Sequence, residues 1–148
     1  MAAATLAIED LPLPRRVAIA ETLREVLQTE RELAALYAAF AARPEPAPLR
    51  NGLDELARAK TARLPIVEAL VRRLGAPPPD APTAPRAIAT ERDDLFMRAF
   101  QAERSLEVAY RELLVLLGDP RRGPDLPGLA AEAGGCRDRL RHLYVRYS

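Results

Sequence analysis

The chain reads as an all-α protein, an antiparallel four-helix bundle made of two helical hairpins joined by a long Pro-rich crossover. Three observations predict this. Apolar residues recur at alternating intervals of three and four through four long stretches, which is the period of one buried helix face. Nearly all the prolines fall between those stretches rather than inside them. Apolar residues make up 49% of the chain but aromatics only 5%, with no Trp, so the core must be built mainly from Leu, Val and Ala, a mixture that favours helix. At 148 residues the chain suits one domain with a real core.

Residues 1–14 read as a loose arm ending in Leu11-Pro12-Leu13-Pro14, and 15–148 as the bundle domain. Pro14 suits a helix start, where its missing N–H leaves nothing unsatisfied. The first helix is expected over about 15–43, stopped by Pro44, Pro46 and Pro48. The second spans about 48–74, with Gly75 as its stop and a stripe of Leu53, Leu56, Lys60, Arg63, Val67, Leu70 and Leu74. Pro65 lies inside it and predicts a kink near Ala62. The crossover, 75–89, holds Pro77, Pro78, Pro79, Pro82 and Pro85. At roughly 3 Å per residue it reaches about 45 Å, enough to run the length of a helix of roughly 40 Å. The third helix spans about 90–117, opened by Thr90 and Asp93 in capping-box spacing and closed by Gly118 and Asp119-Pro120. After a turn the fourth runs over about 129–147 on Ala133, Cys136, Leu140, Leu143 or Tyr144, and Tyr147. Gly134 and Gly135 each weaken it by about 1 kcal/mol relative to Ala, so the pair predicts a kink, a close helix approach or a cap.

Two stripes contain a residue that does not suit a core. Glu30 sits among Ala20, Leu23, Leu27, Ala34, Tyr37 and Ala41, and Glu103 among Phe96, Ala99, Leu106, Tyr110, Leu113 and Leu117. A carboxylate on such a face is costly unless it is paired, metal-bound or protonated. Lys60 and Arg63 place two cations on the stripe of the second helix. The expected centre is a buried charge cluster of Glu30, Lys60, Arg63 and Glu103, beside the core tyrosines Tyr37 and Tyr110. Arg63 is expected to be the main buried partner, because a guanidinium can grip a carboxylate with two bonds, while Lys60 snorkels outward. Carboxylates paired in this way should have lowered pKa values.

In both helices Tyr follows Glu by seven residues, as Glu30 with Tyr37 and Glu103 with Tyr110. With two hairpins and a long crossover, this resembles the ferritin-like four-helix-bundle superfamily over about residues 15–147. The resemblance implies that helices one and three each offer one Glu to a di-iron or di-manganese centre, here Glu30 and Glu103. It also implies Glu-x-x-His in helices two and four. Those motifs are missing: the matching positions are Lys60 with Arg63, and Ala133 with Cys136 or, shifted by one, Gly134 with Arg137. Iron and manganese take carboxylate and imidazole ligands rather than fixed cations. The resemblance thus implies the fold, a degenerate metal site and no cofactor. It is shared by small uncharacterised bacterial families.

Other classes are narrowed by composition. A net charge of +1 provides no global field for nucleic acid or an acidic membrane. No apolar run is long enough to span a bilayer, and the N-terminus has no secretory pattern. One cysteine, Cys136, excludes an internal disulfide and suits the cytoplasm. Cys136 reads as a small buried residue, His142 as a surface one, and Arg137, Arg139, Arg141 and Arg146 as a solvated basic face. There is no phosphate loop, nucleophile elbow or Cys/His metal motif. The leading functional reading is a non-catalytic structural or protein-interaction module that binds another protein or pairs as a homodimer. The first alternative is an atypical di-iron or manganese oxidoreductase or storage protein, drawing on Glu55, Glu68, Glu107 or Glu132 besides Glu30 and Glu103. The second is a small-ligand or anion carrier, with space at Ala133, Gly134 and Gly135 and Arg63 as anchor.

Overall fold

The computed structural model describes residues 8–74 and 91–147. It contains α1 (Leu13–Ala41), α2 (Ala47–Arg73), α3 (Arg92–Leu117) and α4 (Leu126–Tyr147), with a 3-10 turn at Pro120–Arg122. No strand occurs among the described residues, and the fold is the all-α four-helix bundle expected from the periodicity. α1 packs along α2 and α3, and α3 along α4, while α2 and α4 meet only sparsely.

Side-chain contacts give the helix directions. Phe40, near the end of α1, meets Phe96, near the start of α3, edge to face at 5.2 Å. At the other end the guanidinium of Arg15 lies beside Gly118, so α1 and α3 are antiparallel. Gly52 at the start of α2 faces Leu143 near the end of α4, and Arg63 reaches Glu132 near the start of α4, so these two are antiparallel as well. Consequently α2 ends and α3 begins at opposite ends of the bundle. The predicted crossover 75–89, with its prolines, Gly75 and Thr90, lies outside the described residues.

Several boundaries differ from expectation. α1 begins at Leu13 because Pro14 fits its first turn, and it stops at Ala41 ahead of the prolines. The end of the predicted arm belongs to the bundle: Leu11 is buried, donates its N–H to the Ile8 carbonyl and accepts from Arg16 Nε at 3.1 Å. α2 continues through Pro65. At α3 the N-cap is Glu91, whose side chain makes no capping bond; Asp93 and Asp94 face the positive helix end instead. α4 begins three residues early, at Leu126, and runs unbroken through Gly134 and Gly135. Neither glycine marks a close helix approach: a Cβ at Gly135 would meet nothing within 4 Å, and one at Gly134 only the Glu107 carboxylate. Burial of Ala133, Cys136 and Leu140 on the same helix outweighs the poor local propensity. The close approach is at Gly52, where a Cβ would lie 2.7 Å from the Leu143 side chain.

The buried face of α1 is wider than the predicted stripe. Ile19, Leu23, Val26, Glu30, Leu33, Tyr37 and Phe40 form a second three-and-four ladder that shares Leu23, Glu30 and Tyr37 with the first. Among the described residues no helix is long and apolar enough to cross a membrane.

A polar clamp holds the end of the bundle where α3 begins. Arg92 donates through Nε (2.9 Å) and Nη2 (2.5 Å) to Glu45 in the α1–α2 turn, and through Nη1 to the Tyr147 carbonyl at 2.6 Å. The Glu45 side chain is almost fully buried although the residue lies in a loop. Arg92→Ala is expected to cost about 1–3 kcal/mol, the scale of charge-assisted bonds lost from a buried acceptor. Urea unfolding of the variant measures it, and a loss within about 0.5 kcal/mol would place Arg92 among neutral surface positions.

Candidate functional site

The three-and-four ladders of α1, α2 and α3 bring Glu30, Lys60, Arg63 and Glu103 to the bundle centre, where they are buried with Tyr37 and Tyr110. Lys60, not Arg63, is the hub. Its ammonium lies 3.0 Å from Glu30 Oε1 and 2.8 and 2.9 Å from the two oxygens of Glu103, and it is fully buried. The expected snorkelling is therefore absent. A compact ammonium with three donors fits between carboxylates on two different helices, whereas a planar guanidinium does not. Tyr37 completes the arrangement by donating its hydroxyl to Glu103 Oε1 at 2.9 Å.

Arg63 sits one turn further along α2 and faces α4. Its Nε is 2.8 Å from Glu132 Oε2 and 4.0 Å from Glu30 Oε2. The first contact gives Coulomb attraction but is poorly aligned for a hydrogen bond, since Nε has no hydrogen-bond partner among the described residues. The two-bond grip on a buried carboxylate does not form. The partner of Arg63 is instead a Glu whose side chain is 58% exposed. Its Nη1 points at the Cys136 sulfur, 3.8 Å away. Glu30 Oε2, Arg63 Nη2 and the Tyr110 hydroxyl are buried without a hydrogen-bond partner among the described residues. Glu107, just off this cluster, is held by Arg111 at 2.8 Å and Arg137 at 2.5 Å.

Burial dominates the electrostatics. The Glu103 carboxyl is pushed above the usual carboxylate range, because desolvation outweighs Lys60 and the Tyr37 bond. The lowered carboxylate pKa expected from pairing is thus overturned for Glu103. Tyr37 is raised well above an ordinary phenol, first by burial and then by the Glu103 charge it faces. Tyr110 is raised by burial, then by Glu30. For Arg63 burial opposes the charge, but the combined attraction of Glu30, Cys136, Glu132 and Tyr110 exceeds it, and the guanidinium is pushed up further. Both phenols stay protonated donors near neutral pH.

Comparisons with protein-family models, curated proteins and solved structures match nothing.

A di-metal centre of the kind the resemblance implies does not fit these residues. Lys60 Nζ already contacts both Glu30 and Glu103, and its positive charge would repel a cation placed between them. Nor do other carboxylates converge. Glu55 is exposed, Glu68 pairs with Arg31, Glu107 with Arg111 and Arg137, and Glu132 with Arg63. Among the described residues no three His, Cys, Asp or Glu side chains meet in a way that could hold a metal ion. His142 is exposed. Of the basic residues on α4, Arg137 pairs with Glu107 and Arg139 donates to Cys136, whereas Arg141 and Arg146 are exposed.

Sequence reasoning named Glu132 only as an alternative metal ligand, and missed its pairing with Arg63 and the contact of Arg63 with Cys136. Glu132 lies off the α4 stripe, so periodicity did not connect it with Arg63. The available signal was charge: a stripe with two cations facing a helix whose first half carries one carboxylate.

Proposed function

We propose that this protein is a non-catalytic helical bundle of ferritin-like architecture in which an internal ion cluster stands where relatives would hold metals. It would act as a structural or protein-interaction module in the cytoplasm. The observation that carries the reading is the Lys60 ammonium, fixed within 3.0 Å of both core carboxylates. The antiparallel α1–α3 pair and the repeated Glu–Tyr interval, with Tyr37 bonded to Glu103, support the architecture. With its polar centre neutralised internally, the molecule has its outer surface left for recognition. Met97, Val108 and Val115 lie exposed along α3 at helical spacing, on a face suited to another protein or a second copy.

The test is elemental analysis of protein expressed in medium supplemented with iron and manganese and purified without chelator. Less than about 0.1 metal per chain is expected, since Lys60 competes for both carboxylates. Stoichiometric iron or manganese that is lost in Glu30→Gln or Glu103→Gln would overturn the reading and favour a metal oxidoreductase or store.

A further inference from the structure

The bundle surrounds its single cysteine with more positive donors than a small core residue needs. Cys136 is fully buried, yet its sulfur accepts from Arg139 Nη2 at 3.5 Å and from Arg63 Nη1 at 3.8 Å. Arg63 is only 4% exposed, and its other terminal nitrogen, Nη2, has no hydrogen-bond partner among the described residues. A buried charged donor left unpaired beside a sulfur is expensive, and an oxygen attached to that sulfur would supply an acceptor. The carboxylates nearby face the other edge of the guanidinium: Glu132 lies 2.8 Å and Glu30 Oε2 4.0 Å from Arg63 Nε, and Glu30 Oε1 is bonded to Lys60. On the outer side Arg139 is an exposed residue, and it connects the buried sulfur with the surface of α4. The two residues before it, Gly134 and Gly135, add no side chain over the backbone there.

We propose that Cys136 is a site of reversible oxidation by hydroperoxides, forming a sulfenic acid held by Arg63 and Arg139. The sulfur attacks one peroxide oxygen, the S–O bond forms and the O–O bond breaks. Sulfur loses two electrons, and the leaving hydroxide departs as water with the proton the thiol gives up. The guanidinium groups stabilise negative charge on sulfur as it attacks and on the oxygen it acquires. Because the chain has one cysteine, no second thiol within it can convert the sulfenic acid to a disulfide. The oxidised state therefore persists until an external thiol reduces it, as a sensor requires.

The experiment treats the folded full-length chain with hydrogen peroxide and follows free thiol by titration and sulfenic acid by dimedone labelling. Cys136→Ser, which keeps both methionines, is the blank against which signal from the cysteine is read. One dimedone adduct per chain is expected, and without the label dithiothreitol should restore the free thiol; oxidation should run at least about tenfold faster than that of free cysteine in the same buffer. Arg139→Ala is an exposed change that should leave the melting temperature in place while slowing oxidation about tenfold. Oxidation no faster than that of free cysteine, or an equal or faster rate in Arg139→Ala, overturns the proposal.

Discussion

Replacing Lys60 by methionine is expected to remove about 3–5 kcal/mol of folding stability near neutral pH. Small domains hold roughly 5–15 kcal/mol in all, so this loss is a large fraction of the whole. The loss does not come mainly from missing contacts, because methionine restores much of the volume. It comes from Glu30 and Glu103, which remain at the centre with no cation between them. Neutralising both should repair the damage: Lys60→Met with Glu30→Gln and Glu103→Gln is expected to recover most of the stability, since a buried ion cluster often contributes little over neutral residues of similar shape. Arg63→Met is expected to cost less, about 1–2 kcal/mol, because the ion-pair partner it leaves is mostly solvated and Glu30 keeps Lys60. Urea unfolding of the four proteins gives the order. A loss below about 1 kcal/mol for Lys60→Met would mean that the ammonium is solvated, not buried.

This order reverses the one that sequence patterning suggests, and the reason is physical. Periodicity reports which face a residue occupies, so Glu30, Lys60, Arg63 and Glu103 could all be assigned to the centre from spacing alone. It does not report how far each side chain must reach, or which neighbouring helix it meets. Lys60 and Arg63 are one turn apart on α2, yet one turn decides whether the cation points between α1 and α3 or toward α4. The four helices were legible for the same reason, since prolines and apolar ladders are local signals. Gly134 and Gly135 illustrate the limit: they looked like an interruption, but burial of neighbouring residues on α4 overrides local propensity. Gly52 passed without notice, because a helix-helix notch depends on a partner, Leu143, more than ninety residues away. The wider buried face of α1 was missed because a helix rich in Ala offers two overlapping ladders, and only packing chooses between them.

Glu103→Ala is the second change expected to be severe, at about 3–5 kcal/mol near neutral pH. It leaves the Tyr37 hydroxyl without its acceptor and Lys60 with Glu30 alone, and opens space between them. Glu103→Gln should cost much less, since the amide oxygen still accepts from Tyr37. The difference between wild type and Glu103→Gln also isolates the titration of one carboxyl. Burial raises the pKa of Glu103 in the folded state, so folding favours its protonated form. The stability this adds is fully present below the unfolded glutamate pKa and is lost as pH rises through the folded value. The glutamine variant does not titrate at this position. Wild type should therefore lose ground to it as pH rises from about 4, the ordinary glutamate range, towards neutrality. Denaturant unfolding of both proteins across that range provides the slope. If wild type instead gains on the variant with rising pH, Lys60 and Tyr37 outweigh desolvation, and the carboxylate is held charged by its partners from the start.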